Sequence, residues 1–378
     1  MVKVLHISGA RSWGGSEQQL LYLMNELPKV EVNQKLLCYE GTPLHAETQG
    51  KSEDVMAIPY VKPTSKTYRK KLREIVNQNQ IDIIHLHTND AATGYVLTDL
   101  FYKINTSTVL ARKSVRAKHS FLSKLKYNYK NIHAIICVSK YVEDHFSRIL
   151  NQKNKKKTTV IHDSVKQDDQ FEKASFNIRQ KYQLSEDVFL IGNIANHTRA
   201  KDHPLLLKTL NELVHVRKIR NIKLIQIGQF SSLTEKLKVL VKEYKLEDYI
   251  IYTDFVRNAS SFMNQFDVFL MTSSREGGPS SVIEAFSKKV PVVSTRVGVI
   301  DEAIEDGING FSVPVGDYKE LAEKLIILKE NKELREQFRK KSYERFISDF
   351  TAEKLGKETY RVYNSLMNDQ AQSNYLNS

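Results

Sequence analysis

Short apolar runs alternate along this chain with stretches whose apolar residues recur every three or four positions. That is the pattern of a parallel sheet covered by helices. Residues 4–8 read as a first strand and residues 9–15 as a loop. Residues 17–27 predict a helix with Leu20, Leu23, Met24 and Leu27 on one face. Further strands are expected at 81–86, 108–111, 134–138 and 160–162, with helices near 66–77, 91–103 and 140–150. Residues 163–187 are mostly polar, carry Asp168-Asp169 and lack a period, as a linker would. A second α/β series begins at 188–194 and continues through 223–227, 250–252, 268–271 and 290–294. Charged helices follow from Lys319 to about Met367, and the last ten or so residues have the composition of a disordered tail. The expected class is α/β, as two doubly wound domains facing across a cleft. A ligand would lie at the C-terminal ends of both sheets.

Composition agrees with two domains. The chain has 378 residues, 41% hydrophobic and 27% charged, long for one domain and ordinary for a soluble globular protein. No apolar run approaches the roughly 18 residues of a membrane span. The start Met1-Val2-Lys3-Val4-Leu5-His6-Ile7 reads as a strand, not a signal peptide. Cys38 and Cys137 each sit in an apolar strand-like run, as buried thiols of a reducing compartment would, so the cytoplasm is the expected location.

Charge is unevenly placed. Residues 1–165 hold 25 Lys+Arg against 14 Asp+Glu, whereas the remainder holds 32 against 30. Residues 100–142 carry Lys103, Arg112, Lys113, Arg116, Lys118, Lys124, Lys126, Lys130 and Lys140 without any Asp or Glu. Phe121, Tyr127 and Tyr129 are interleaved with them. Such a surface suits an anionic membrane face or a polyanionic acceptor. No nucleic-acid motif accompanies it, so nucleic acid is not an expected partner. A solvated basic face is the plainer alternative.

Four segments carry candidate chemistry. In Ser274-Arg275-Glu276-Gly277-Gly278-Pro279-Ser280-Ser281-Val282-Ile283-Glu284-Ala285 two carboxylates flank a glycine pair, a proline and two serines, between a strand and a helix. A strand-loop-helix junction of this kind aims free N–H groups at an anion. One carboxylate can then face the reactive end of a ligand and the other a distant polar part. Decoration of a helix start by Glu is the alternative. The loop Gly192-Asn193-Ile194-Ala195-Asn196-His197-Thr198-Arg199-Ala200-Lys201-Asp202-His203-Pro204 offers Arg199 and Lys201 to clamp a diphosphate without a metal, unless they are solvated loop charges. Trp13-Gly14-Gly15-Ser16-Glu17 is a glycine turn with Ser16 as a plausible N-cap. In Asp82-Ile83-Ile84-His85-Leu86-His87-Thr88-Asn89-Asp90 alternation puts His85 and His87 on one side of a strand end. No third metal ligand is spaced nearby, so a polar group beside an acceptor hydroxyl is the expected role of His87. The dinucleotide fingerprint, the Walker motif, the Gly-x-Ser-x-Gly elbow and a strand-end Asp-x-Asp pair are all missing from the sequence.

Together these segments resemble the retaining glycosyltransferases of family 4, with the GT-B fold of two Rossmann-like domains. Glu276 and Glu284 match the family's E-x7-E pattern, and Pro291-Val292-Val293-Ser294-Thr295 with Gly298 matches the strand after it. Asp306-Gly307-Ile308-Asn309-Gly310-Phe311 matches a family turn, and Gly14-Gly15-Ser16-Glu17 its N-terminal loop. The resemblance implies that Glu284 holds the donor's ribose hydroxyls. It implies that Glu276 and the backbone of Gly277, Gly278, Pro279, Ser280 and Ser281 position the sugar and diphosphate. Lys201 would neutralise the leaving nucleoside diphosphate, Gly14 and Gly15 would also approach the donor, and Val256 and Arg257 would border the nucleobase. Two departures stand out. Asn196 replaces a frequent arginine, with Arg199 as substitute, and Arg112-Lys113 stand where many members have a histidine. His87, Arg112 and Lys113 are thus the expected acceptor contacts, toward a more anionic acceptor.

The resulting expectation is a retaining, metal-independent transferase that takes a sugar from a nucleotide-sugar donor, a UDP-sugar by preference. Its acceptor would be a lipid-linked or polysaccharide glycan of the bacterial cell envelope, at the inner face of the plasma membrane, with no cofactor. A nucleotide-sugar epimerase on the same fold, or a catalytically silent sugar-nucleotide-binding protein, is the alternative. The domain expectation is 1–165 for the acceptor domain, 166–187 for a linker and 188–345 for the donor domain. A C-terminal helix at 346–367 would cross back to the first domain, with 368–378 as the tail.

Overall fold

The computed structural model describes residues 1–49, 54–104, 106–115, 119–167, 174–278 and 280–377. They form two compact units, Met1–Lys166 with Ala352–Ser378, and Gln167–Thr351. Asp168, Asp169, Arg116, Lys118 and Pro279, all named above, lie outside the described residues.

The first unit runs β1 (Val2–Ile7), α1 (Gly15–Glu26), β2 (Val32–Tyr39), α2 (Pro43–Thr48), β3 (Val55–Ile58), α3 (Lys66–Asn79), β4 (Ile83–Leu86) and α4 (Asn89–Tyr102). It continues with β5 (Ser107–Arg112), α5 (Phe121–Tyr127), β6 (Ala134–Cys137), α6 (Lys140–Ser147), α7 (Gln152–Lys155) and β7 (Thr158–Val160). All seven strands pair in parallel, in the order β3-β2-β1-β4-β5-β6-β7. Side-chain caps start the helices where the sequence supplies a hydroxyl: Ser65, Thr88, Ser120 and Ser139 each accept from the backbone N–H three residues on. The strands are apolar on both faces because both are covered. Leu5, Ile7, Ile84, Leu86 and Leu110 pack one way, and Val4, Ile83, Val109 and Ile136 pack the other way with Leu23, Leu27 and Tyr363.

The second unit holds α8 (Ile178–Lys181), β8 (Phe189–Ile194), α9 (His203–Asn211), β9 (Ile222–Ile227), α10 (Thr234–Glu243) and β10 (Ile250–Thr253). β11 (Val268–Met271), α11 (Ser280–Ser287), β12 (Val292–Thr295), α12 (Ile300–Ala303), β13 (Phe311–Val313), α13 (Tyr318–Glu330) and α14 (Lys332–Asp349) follow. Its six strands, also parallel, are ordered β10-β9-β8-β11-β12-β13. The last helix, α15 (Ala352–Asn377), belongs to the first unit, where Tyr363 is fully buried.

The structure corrects several expectations. The return to the first unit starts at Ala352, not residue 346, because Phe346 and Phe350 are still buried at the end of the second unit. Residues 368–377 continue α15 rather than forming a disordered tail; with no Gly or Pro there, extending a helix costs less than starting one. Ser16 is not an N-cap: Gly14 holds that position, with its carbonyl accepting from Glu17 and Gln18 N–H at 3.2 Å each. β2, β3 and β13 have no counterpart in the predicted strands; β2 showed only as the apolar run around Cys38. The strand expected at 160–162 is β7, two residues earlier.

Candidate donor site and imidazole cluster

In a doubly wound sheet ligands gather where the strand order reverses, outside the C-terminal strand ends. In the second unit that point lies between β8 and β11, which are register neighbours through Val268 with Ile191 and Phe269 with Gly192. The loop after β8 carries Asn196, Arg199 and Lys201, and the loop after β11 carries Glu276, Gly277 and Gly278. Topology alone therefore brings two of the predicted segments together.

Hydrogen bonds stitch these loops into one surface. Ser274 N–H donates to the Ala200 carbonyl at 2.8 Å, and Thr272 Oγ1 donates to the Lys201 carbonyl at 3.2 Å. Thr295 Oγ1, on β12, donates to the Ser273 carbonyl at 2.6 Å. Beneath the β11 loop, Gly298 sits at φ +61, and a Cβ there would stand 2.8 Å from the Glu276 and Gly277 carbonyl oxygens. Only glycine accepts that close approach in a left-handed conformation. Gly228 does the same for the other loop, since a Cβ would reach the Ala195 carbonyl oxygen at 2.0 Å.

On this surface Lys201 Nζ donates to Glu276 Oε1 at 2.6 Å, and Ser273 Oγ donates to the same oxygen at 2.9 Å. Both charged side chains are about one-quarter exposed or less, at 26% and 16%. Glu284, on the second turn of α11, accepts no hydrogen bond to its carboxyl among the described residues. Burial pushes that carboxyl up to about 7, against the pull of Lys201 and Lys288. Ser280 and Ser281 open α11 and are half-buried. Asn196 and Arg199 are exposed, and Asn196 Oδ1 accepts from Gln229 N–H at 2.9 Å. Val256 is half-buried and Arg257 exposed on the loop after β10, at the sheet edge two strands from β8. That loop is tied to its neighbour by Asp254 Oδ1, which accepts from Phe230 and Phe255 N–H and so holds its carboxyl below the usual range.

The buried network under the β8 loop was not legible in sequence. His197 Nε2 meets Gln226 Oε1 at 2.9 Å, and Gln226 Nε2 donates to the Ala195 carbonyl at 2.7 Å, so Nε2 carries the hydrogen. Nδ1 then accepts from Thr234 Oγ1 at 2.8 Å. A histidine inside a polar loop reads as solvated until the chain folds that loop over β9.

In the first unit the reversal point lies between β1 and β4. Gly9 N–H donates to Thr88 Oγ1 at 3.0 Å there, joining the loop before α1 to the end of β4. Gly14 and Gly15 stand at the start of α1. Lys113 Nζ pairs with Asp163 at 3.6 Å and donates to the Ser16 carbonyl at 3.3 Å, so part of its charge is already matched. Arg112 does not line an open surface. It is 4% exposed, with its guanidinium 5.5 Å from the Tyr127 ring centroid and 4.9 Å from that of Phe146. Tyr127 of α5 and Phe146 of α6 cover it, which withdraws it from direct acceptor contact.

His87 is half-buried at the end of β4, and the expectation that no third imidazole lies near it is overturned. His6 on β1 is the register partner of His85, so three histidines share one face of the sheet. Sequence spacing cannot show this, because the third member sits 79 positions from His85 and arrives by strand pairing. Burial pushes His6 down to about 3 and holds His85 and His87 well below the ordinary histidine value.

Comparison with known proteins matches both units. The family description "Glycosyltransferase Family 4" fits residues 13–168, and "Glycosyl transferases group 1" fits residues 174–345. The chain is 24% identical over 334 residues to the O-antigen biosynthesis glycosyltransferase WclY of Escherichia coli, covering 84% of this chain and 88% of that one. Among solved structures, a glycosyltransferase from Rickettsia africae ESF-5 superposes with TM-score 0.83 at 21% identity, covering 97% and 98% of the two chains. Anabaena Alr3699/HepE, solved with UDP and glucose, gives TM-score 0.80 at 16% identity over 97% and 100%. At these identities the superpositions speak for the fold.

Proposed function

This chain belongs to the family 4 type of glycosyltransferases with the GT-B fold, and from that premise we propose a retaining, metal-independent transfer from a nucleotide-sugar, a UDP-sugar by preference. The acceptor is a lipid-linked or polysaccharide glycan of the cell envelope. The observation that carries the reading is the Lys201–Glu276 pair at the β8–β11 reversal point, 2.6 Å apart on two cross-bonded loops. The UDP bound in the Anabaena relative and the O-antigen role of the Escherichia coli relative support donor and acceptor class.

On donor binding Lys201 exchanges its contact with Glu276 for the diphosphate and stabilises charge as the bond from the sugar's anomeric carbon to phosphate breaks. Glu276, released, takes the sugar hydroxyls; Gly277, Gly278 and the N–H groups opening α11 face the phosphates. Glu284 holds the ribose. The acceptor oxygen bonds the anomeric carbon on the face the leaving group departs from, and its proton passes to the departing phosphate oxygen. No strong protein base is then required, and positioning and charge supply the rate. On the acceptor side Lys113 and His87 remain candidates.

A peripheral place at an anionic membrane, on the cytoplasmic side, is part of the proposal. Among the described residues no helix is long and apolar enough to cross a membrane. On α5, however, Phe121, Leu122 and Leu125 are 73%, 75% and 55% exposed beside Lys124. That combination of exposed apolar and basic residues suits an interface.

The deciding measurement is nucleotide release from a panel of nucleotide-sugars, with and without membrane extract. Release with extract that drops about a hundred- to a thousand-fold in Lys201→Ala and strongly in Glu276→Ala supports the assignment. Release unchanged in both variants overturns it, and tight donor binding without turnover points to the silent protein.

A further inference from the structure

His6, His85 and His87 project from one face of the first unit's sheet, with ring centroids 4.1 to 5.6 Å apart. One ring nitrogen of each lies within 4.8 Å of the other two. Two pairings engage half of the ring nitrogens. His6 Nδ1 meets His87 Nε2 at 2.9 Å, and His85 Nδ1 meets the Tyr363 hydroxyl of α15 at 2.7 Å. His6 Nε2, His85 Nε2 and His87 Nδ1 are buried without a partner among the described residues, and so is Gln34 Oε1, whose side chain neighbours His6. Buried polar atoms are nearly always paired, and Gln34 stands ready for His6, so His85 Nε2, unpartnered beside two further imidazoles, is the nitrogen that asks for an occupant.

We propose that these three histidines bind one late first-row divalent ion, with Zn²⁺ as the reference. The donor set is three imidazoles without a thiolate or carboxylate, which suits Zn²⁺, Cu²⁺ or Ni²⁺ over Mg²⁺ or Ca²⁺. The ion takes the place of the hydrogen shared by His6 Nδ1 and His87 Nε2, and His85 Nε2 is the third ligand. Tetrahedral ligands about 2.1 Å from a metal stand about 3.4 Å apart, so His6 and His87 separate by about half an ångström. The displaced hydrogen moves to the far nitrogen of its own ring. When that ring is His6, the hydrogen reaches Nε2, where Gln34 Oε1 is available to accept it. Each ring stays neutral and no proton is lost. Tyr363 accepts from His85 Nδ1–H and fixes the tautomer that leaves Nε2 free to ligate. The fourth position is open to water. The ion is thus a resident of the first unit, and the inference stands whether or not the transfer reading does.

The test uses tag-free full-length protein, stripped with a chelator and titrated with Co²⁺ while the visible bands of tetrahedral cobalt are followed. Zn²⁺ competition and elemental analysis give the stoichiometry. One equivalent per chain, lost in His6→Gln and His85→Gln and weakened about tenfold or more in Tyr363→Phe, supports the site. His87 is left unchanged because it also stands among the acceptor candidates. Circular dichroism confirms that each variant is folded; should the histidine variants not fold, wild type and Tyr363→Phe decide. Folded wild-type protein with no stoichiometric Co²⁺ or Zn²⁺, or affinity equal in wild type and Tyr363→Phe, overturns it.

Discussion

Glu284 is the residue at which stability and the proposed ribose contact pull apart. Its carboxyl is ordinary when unfolded and held up to about 7 when folded, so the folded state binds its proton more tightly. The stability tied to this group is full below pH about 4.5 and is lost as pH rises through about 7. Glu284→Gln removes the dependence. The variant should gain on wild type by up to about 3 kcal/mol at pH 8 and by little at pH 5. Urea unfolding at both pH values checks this, and an equal difference at the two would remove the burial argument. If Glu284 holds the ribose, the same variant should bind donor more weakly, so the residue would be a liability to the empty fold and an asset to the complex.

At the scale of elements, the β11 loop is held in place by what lies under it. Gly298→Ala should place a methyl against the Glu276 and Gly277 carbonyls and strain a left-handed backbone, costing about 1–3 kcal/mol. It should also weaken donor binding by shifting the loop. At Gly316, with φ +90, an added Cβ would meet nothing within 4 Å, so Gly316→Ala should cost stability alone. Denaturation together with UDP titration of both variants separates strain from displacement; matching effects on UDP would contradict the loop argument. α5 makes a second prediction at this scale. Replacing Phe121, Leu122 and Leu125 by Ser should abolish sedimentation with anionic vesicles, and added salt should weaken the wild type. Sedimentation unchanged by both returns the basic run to a solvated face. The longer helices and most strands of both units could be read from period and apolar runs, as with residues 268–271, which match β11, whereas the short α2, α5, α7 and α8 could not. β2, β3 and β13 were not among the predicted strands, although β2 showed as the apolar run around Cys38.

Across the whole molecule, the first unit is discontinuous in sequence and closed by the chain's last helix. Tyr363 on α15 packs among Val4, Ile83, Val109 and Ile136. Tyr363→Ala should therefore cost the first unit about 3–5 kcal/mol and leave the second unit's own core intact. Hydrogen exchange read by peptide should lose protection in residues 1–166 and keep it in 188–349. Equal loss in both would show the two units to be one cooperative block.

The sequence by itself determined the α/β class, the count of two doubly wound units and the residues of the two loops after β8 and β11. The stretch 166–187, expected as a linker, belongs to the second unit from Gln167 on and carries α8 with Ile178 buried. Periodicity and glycine–carboxylate spacing are local, and local patterns survive without a fold. Only the tertiary structure decided which loops meet. The reversal between β8 and β11 set Lys201 against Glu276, and burial raised Glu284. Helices α5 and α6 covered Arg112, and strand pairing placed His6 opposite His85. Each of these depends on contacts between residues tens of positions apart, which a linear pattern does not encode. The pair of carboxylates was visible along the chain; the cluster of histidines existed only once the sheet was assembled.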